Sequence, residues 1–257
     1  MGIEIGRPLG VGGINSNITV DRNRYRQSFG NTLQADTFER SGINRFTTES
    51  SIKQMINANP KIINILKEVN APLTINMKEL NQVLANHAND TKNIAKGITE
   101  HLPFSLQNRV DTKALLDAAY LHDIGKVLIP ANILNKAGKL DKKETEIMHK
   151  HSELGYELLK STDIDKKTLN LIRNHHQNAK KTGYPFVDNS FNADINLQIL
   201  SIADKYSALT EKRPYKEPLD TKQALTIIYR DVQDGKLHPF VFKALVNYAS
   251  EKVTAAV

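Results

Sequence analysis

Histidine and aspartate recur along this chain at intervals that no single helix or strand can close: His87, His122-Asp123, His151, His175-His176 and Asp204. Imidazole plus carboxylate is ligand chemistry for borderline divalent metals, and residues so far apart in sequence meet only in a folded interior. There is no cysteine. That excludes disulfides, thiolate metal sites and a cysteine nucleophile, and leaves His, Asp and Glu as the donor set. Adjacent helical residues point about 100° apart, so neither His122-Asp123 nor His175-His176 is set to chelate one ion by i, i+4 spacing. Each pair suits a bundle interior in which two ions sit side by side, with Asp123 able to bridge them and the histidines terminating the cluster. Redox-inert hydrolysis is the natural use. His101, His149 and His238 read as hydrogen-bonded core or surface residues.

The elements that must position these groups read as helices throughout. Apolar residues recur at helical spacing from Ser51 onward, as in Ile62, Ile63, Ile65 and Leu66, followed by Val69. Pro72 and Leu73-Thr74-Ile75-Asn76 break that pattern and start a helix through Leu80, Val83, Leu84, His87, Thr91 and Ile94, which Pro103 closes. Asp111 and Thr112 are N-cap candidates for a helix carrying His122-Asp123 near its end, before Gly125. Asp141 with Glu144 reads as the cap of one helix that carries His151 and closes near Lys160. Further helices are expected over Lys166–His176, Ile195–Leu209, Thr221–Asp231 and Pro239–Ala249. No alternating run bounded by hairpin turns suggests a sheet.

With 257 residues and 40% hydrophobic content the chain can bury one large core. No segment approaches the roughly 18 consecutive apolar residues of a membrane span. The N-terminus has the pattern of neither a signal peptide nor a myristoylation site, so a cytoplasmic protein is the expectation. The formal charge is +7, but the basic residues are spread over many helices and form no stripe of the kind that reads duplex nucleic acid. A cationic pocket for a small phosphorylated ligand is compatible with the same excess. Seven of the 13 glycines fall in the first 42 residues, without sustained periodicity. Residues 1–48 therefore read as a mobile or weakly ordered extension, followed by a helical segment over 49–74.

Leu121-His122-Asp123-Ile124-Gly125-Lys126, with Ile129-Pro130 and Ile133-Leu134-Asn135-Lys136-Ala137-Gly138-Lys139-Leu140, resembles the HD-GYP subgroup of the HD phosphohydrolase superfamily. Gly183-Tyr184-Pro185 follows the paired histidines at that subgroup's spacing. Ile202-Ala203-Asp204-Lys205-Tyr206-Ser207-Ala208-Leu209 and Arg213-Pro214-Tyr215-Lys216 come next in the same order. The resemblance covers roughly residues 75–250, with a tail over 251–257. It implies an all-α HD-domain bundle with additional C-terminal helices, and a metal-dependent phosphodiesterase that opens cyclic di-GMP, or a related cyclic dinucleotide, to a linear dinucleotide by attack of a metal-bridged hydroxide. Carried over residue by residue, it implies His87, His122, Asp123, His151, His175, His176 and Asp204 as metal ligands, with Asp123 bridging. Lys126 would contact the scissile phosphate or assist the leaving oxygen, and Arg213 and Lys216 would hold substrate phosphates. Gly183, Tyr184 and Pro185 would form a tight loop against the substrate, Gly supplying permissive dihedrals and Tyr184 stacking on guanine or bonding a phosphate. Iron or manganese is the implied metal.

The departures from the subgroup are specific. Gln177 stands where Glu is usual after the paired histidines, and Lys180-Lys181 where Asp-Gly usually precedes the signature. Members with three metals tend to carry Glu one turn before the first ligand, where this chain has Val83, so two metals are expected, with the reaction stopping at the linear dinucleotide. No receiver or sensory domain is read on the N-terminal side. Regulation is expected through the extension, the helices around 51–70, which also offer a surface for a homodimer, or a signalling protein partner. Two alternatives stand beside the enzyme reading: a catalytically weak module that binds a cyclic dinucleotide or a partner, and an HD hydrolase of another nucleotide.

Overall fold

The computed structural model describes residues 45–212 and 217–255. The expected extension over 1–48 lies almost wholly outside them, as do Arg213 and Lys216. The described residues are all-α: α1 Glu49–Ala58, α2 Lys61–Glu68, α3 Met77–Ala85, α4 His87–Glu100, α5 Phe104–Gln107, α6 Thr112–Leu121, a 3-10 turn Ile124–Leu128, α7 Ala131–Leu134, α8 Lys142–His149, α9 His151–Leu159, α10 Lys166–Asn174, α11 Ile195–Thr210, α12 Thr221–Gln233 and α13 Pro239–Ala255. No strand occurs among them, and no helix among them is long and apolar enough to cross a membrane.

Local chemistry sets several helix starts. Aspartate oxygens accept from free first-turn amides at Asp111 for α6, Asp165 for α10 and Asp194 for α11. Asp141 and Glu144 form the expected reciprocal box, at 2.9 and 2.8 Å, and Asp220 with Gln223 forms another. Asn76 ties the start of α3 to the 3-10 turn: its amide donates to the Val127 carbonyl at 2.8 Å, and its side chain to that of Ile129.

Helix α4 lies at the centre, packed against α6, α11 and α13, while α9 packs on the 3-10 turn and on α10. Ile98, Leu115, Leu121, Ile124, Leu154 and Leu158 are fully buried at these contacts, and Ile52, Ile62 and Leu66 bring α1 and α2 into the same core. Burial of large aliphatic side chains at about 25 cal/mol per Å² supplies the main stabilisation.

Two expected helices are interrupted. The one through Leu80 and Ile94 breaks at Asn86, and Asn89 caps the end of α3 by donating to the Leu84 and Ala85 carbonyls at 2.8 and 3.1 Å. Val83 and His87 are therefore on different helices. The helix expected from Asp141 to Lys160 breaks at Lys150, so that His87 and His151 each open a new helix. In both cases the apolar periodicity continues across the break, which conceals it.

Gly125 lets the 3-10 turn approach α9 closely, since a Cβ there would overlap the His151 carbonyl and the Gly155 amide. Gly125→Ala is expected to cost roughly 1–3 kcal/mol, as overpacking against backbone does. Denaturant unfolding of the full chain measures it, and an unchanged midpoint would show that the contact relaxes freely.

Candidate metal centre

Three helix ends create the centre. The last carbonyls of a helix have no backbone partner, and here imidazoles supply one. His122 follows α6 and its Nδ1 donates to the Ala119 carbonyl at 2.9 Å; His151 follows α8 and donates to Met148 at 2.7 Å; His175 follows α10 and donates to Ile172 at 2.7 Å. A carbonyl only accepts, so each of these Nδ1 atoms carries a proton, and Nε2 of each ring faces inward. Nε2 of His122 is buried with no hydrogen-bond partner. Nε2 of His151 and His175 face each other at 3.2 Å.

The carboxylates converge on the same point. Asp123 Oδ1 lies 3.3 Å from His151 Nε2 and 3.9 Å from His175 Nε2, while Oδ2 lies 3.4 Å from His122 Nε2 and 3.8 Å from His87 Nε2. Asp204 Oδ1 is 3.1 Å from His87 Nε2 and 3.8 Å from His122 Nε2, and its Oδ2 is 3.9 Å from His176 Nδ1. Among the described residues three groups have donor atoms close enough for one ion: His151, His175 and His176; His87, His122 and Asp204; and His122, Asp123 and His175. The first two share no member, and the third joins them.

The seven expected ligand candidates thus come together, with one correction to the sequence geometry. His122 and His175 keep helical backbone angles, yet the side chains of each pair reach a common point, the His175 and His176 rings lying 4.0 Å apart, so the 100° separation of helical neighbours does not keep them from one ion. His122-Asp123 belong to one group and His175-His176 to another.

Protonation follows burial and charge. Burial pushes His151 and His176 down to about 3 and His175 well below the usual imidazole range, so these rings are neutral. Burial opposes ionisation of Asp123, but Lys126 and then His122 outweigh it and hold the carboxyl well below its ordinary value. Asp204 is lowered in the same sense, the His87 hydrogen bond overcoming burial. Burial lowers His87 too, yet hydrogen bonds with Asp204 and Glu211 raise it to about 9 overall. Ser207 Oγ, 3.0 Å from His87 Nδ1, fixes that ring from behind. Neutral imidazoles and ionised carboxylates are the forms that bind divalent cations; His151, His175, His176 and both aspartates are already in that form, whereas His87 must give up a proton, and the orphaned His122 Nε2 is the kind of atom a metal satisfies.

A cavity of about 690 Å³ opens over the centre, lined also by Lys126, Tyr184, Gln198, Lys205 and Lys236. Lys126 Nζ is 2.5 Å from Asp123 Oδ2. Lys205 pairs with Asp231, and Lys236 with Asp234 at 2.8 Å. Lys205 and Ser207 lay within a motif quoted from the sequence; Gln198 and Lys236 gave no signal there, because only tertiary packing brings them to the cavity.

The Gly183-Tyr184-Pro185 loop is held by Gln177, whose buried amide donates to the Pro185 carbonyl at 2.6 Å and accepts from the Gly183 amide at 3.2 Å. Gln therefore does what Glu cannot, since a carboxylate has no proton for Pro185. Gly183 is needed for a reason other than permissive dihedrals. Its φ is not positive, but a Cβ would strike the His176 carbonyl.

The chain matches the HD domain family over residues 63–239, well over half its length. It belongs to that family. The HD-GYP-like reading of the motifs holds at this level. It is 30% identical over 155 residues to 3'3'-cGAMP-specific phosphodiesterase 1 of Vibrio cholerae, covering 60% of this chain and 36% of that protein. It is 39% identical over 125 residues to the cyclic di-GMP phosphodiesterase response regulator RpfG of Xanthomonas campestris, covering 47% and 32%. The match thus spans about a third of these curated relatives. The HD domain of the phosphodiesterase PgpH from L. monocytogenes has the same fold, with a TM-score of 0.50 at 17% identity, over 69% of this chain and 97% of that one.

Gln177→Leu would leave the Pro185 carbonyl and Gly183 amide without their partner, and is expected to lose about 1–3 kcal/mol. Thermal unfolding, together with faster amide exchange at Gly183, measures this; unchanged exchange would mean that the loop is held elsewhere.

Proposed function

We propose that this HD domain is a metal-dependent phosphodiesterase of the HD-GYP type, opening a cyclic dinucleotide to a linear one. The observation that carries the reading is the split engagement of Asp123, with one oxygen toward His151 and His175 and the other toward His122 and His87. That arrangement would suit Asp123 to two divalent ions, and His87, His122, His151, His175, His176 and Asp204 would complete the residues that hold them. Iron and manganese are the metals proposed. When bound, such a pair supplies Lewis acidity and a nucleophile usable at neutral pH.

The chain's own residues do the rest. Lys126, salt-bridged to Asp123 at the cavity wall, is placed to donate to an oxygen of the scissile phosphate as charge builds there. The phosphorus–oxygen bond breaks, water provides the new phosphate oxygen, and the leaving oxygen departs as a hydroxyl. Lys205 and Lys236 also line the cavity, each ion-paired with an aspartate, Asp231 and Asp234, and their ammonium groups are proposed as further hydrogen-bond donors to substrate phosphate. Arg213 and Lys216, carried over from the motif, are proposed as further phosphate contacts. The burial of the centre excludes bulk water around the carboxylates, which strengthens each of these interactions.

Relatives named for cyclic di-GMP and for 3'3'-cGAMP both match, which supports a cyclic dinucleotide as the substrate class. We assign the catalytic domain to residues 75–250, preceded by the extension 1–48 and the helical segment 49–74 and followed by the tail 251–257, in a cytoplasmic setting.

The test is metal content with turnover of cyclic di-GMP and 3'3'-cGAMP, on full chain prepared without oxygen and reloaded with iron or manganese. About two metals per chain and an accumulating linear dinucleotide are expected. Ligand bound without hydrolysis would favour a binding module instead. Asp123→Ala should lose at least one metal and all activity, and unchanged turnover would overturn the bridge. Lys126→Ala should keep its metals and lose about 10²- to 10³-fold in kcat, the cost of removing one transition-state donor.

A further inference from the structure

Tyr184 has a ring on each side of it. The His149 imidazole stacks on the phenol with centroids 3.7 Å apart and planes within 11°, and the His176 imidazole stacks at 4.5 Å and 30°. Two rings this close and this nearly parallel to one phenol would overlap each other if they shared a face, so they occupy opposite faces. His149 ends α8, whose other end is fixed by the Asp141–Glu144 box. The loop carrying Tyr184 is pinned by Gln177 and by the fit of Gly183 against His176. Neither partner in the His149–Tyr184 stack is free to slide.

We infer that His149 is a positioning residue of this site: with His176 it clamps the Tyr184 ring, so that the phenol meets substrate through its hydroxyl and edge and not through its face. Stacking of Tyr184 on guanine is thereby excluded in this arrangement. Tyr184 lines the cavity with Lys126, and its hydroxyl makes no hydrogen bond to another described residue. Its complement is an anionic phosphate oxygen.

The kinetic consequence rests on the phosphodiesterase reading, so the test carries a second readout that does not. On manganese-loaded full chain, His149→Ala should raise KM for cyclic di-GMP about two- to tenfold, the worth of one aromatic pair, with kcat held. His149→Phe, which keeps a ring there, should restore it. In a Tyr184→Ala background His149→Ala should add nothing, because the effect passes through Tyr184. Independently, nitration of Tyr184 by tetranitromethane, followed by peptide mass mapping, should be severalfold faster in H149A and slow again in H149F. Unchanged nitration in H149A overturns the clamp. Faster nitration with unchanged KM, or a full additional loss in the Y184A background, overturns the positioning role. If the unmutated chain hydrolyses neither cyclic dinucleotide, the phosphodiesterase reading falls, and nitration alone still decides the clamp.

Discussion

Two imidazole nitrogens, His151 Nε2 and His175 Nε2, face each other at 3.2 Å in the interior, and a third, His122 Nε2, has no partner. All three rings give an Nδ1 proton to a helix-end carbonyl, and on the neutral rings of His151 and His175 the inward Nε2 presents only a lone pair. Lone pairs opposed in a dry interior cost several kcal/mol unless positive charge lies among them. Lys126 answers only Asp123 Oδ2. The two ionised carboxylates that the surrounding helices bring to the same point, Asp123 and Asp204, add to the demand for positive charge there.

Helix ends build this arrangement economically. A helix end leaves carbonyls unpaired, and an imidazole just beyond it can take one of them while turning its second nitrogen away from the helix. This happens at α6, α8 and α10, so one hydrogen bond completes a helix and aims the ring's second nitrogen at the centre. The breaks at Asn86 and Lys150 serve the same geometry from the other side, since each lets a histidine begin a helix where its ring reaches the centre. Ser207 then holds His87 from behind, as a partner on the far nitrogen of a metal-ligating histidine does.

The loop above the centre follows a different rule. It contains no regular element and is held by side chains: the Gln177 amide on Pro185 and Gly183, Asn178 on Lys180 and Thr182, and rings on Tyr184. An exchange of Glu for Gln within such a network alters charge and also which backbone groups can be satisfied, because an amide both donates and accepts. The departure from the HD-GYP pattern at this position is thus matched to its surroundings.

The sequence by itself determined the all-helical class, the aspartate caps at Asp111 and Asp141, the donor set and the family, because each is written in local chemistry or in an ordered motif. It also carried the adjacent pairs His122-Asp123 and His175-His176, although helical geometry suggested that neither could serve one ion. Only the tertiary structure decided where the helices break, since apolar periodicity runs on through Asn86 and Lys150. It alone gave Gly183 its reason, a close approach to the His176 carbonyl, and gave His149 its place on Tyr184. These depend on groups far apart in the chain meeting at a few ångströms, and such meetings are set by packing of the whole domain, which local composition does not encode.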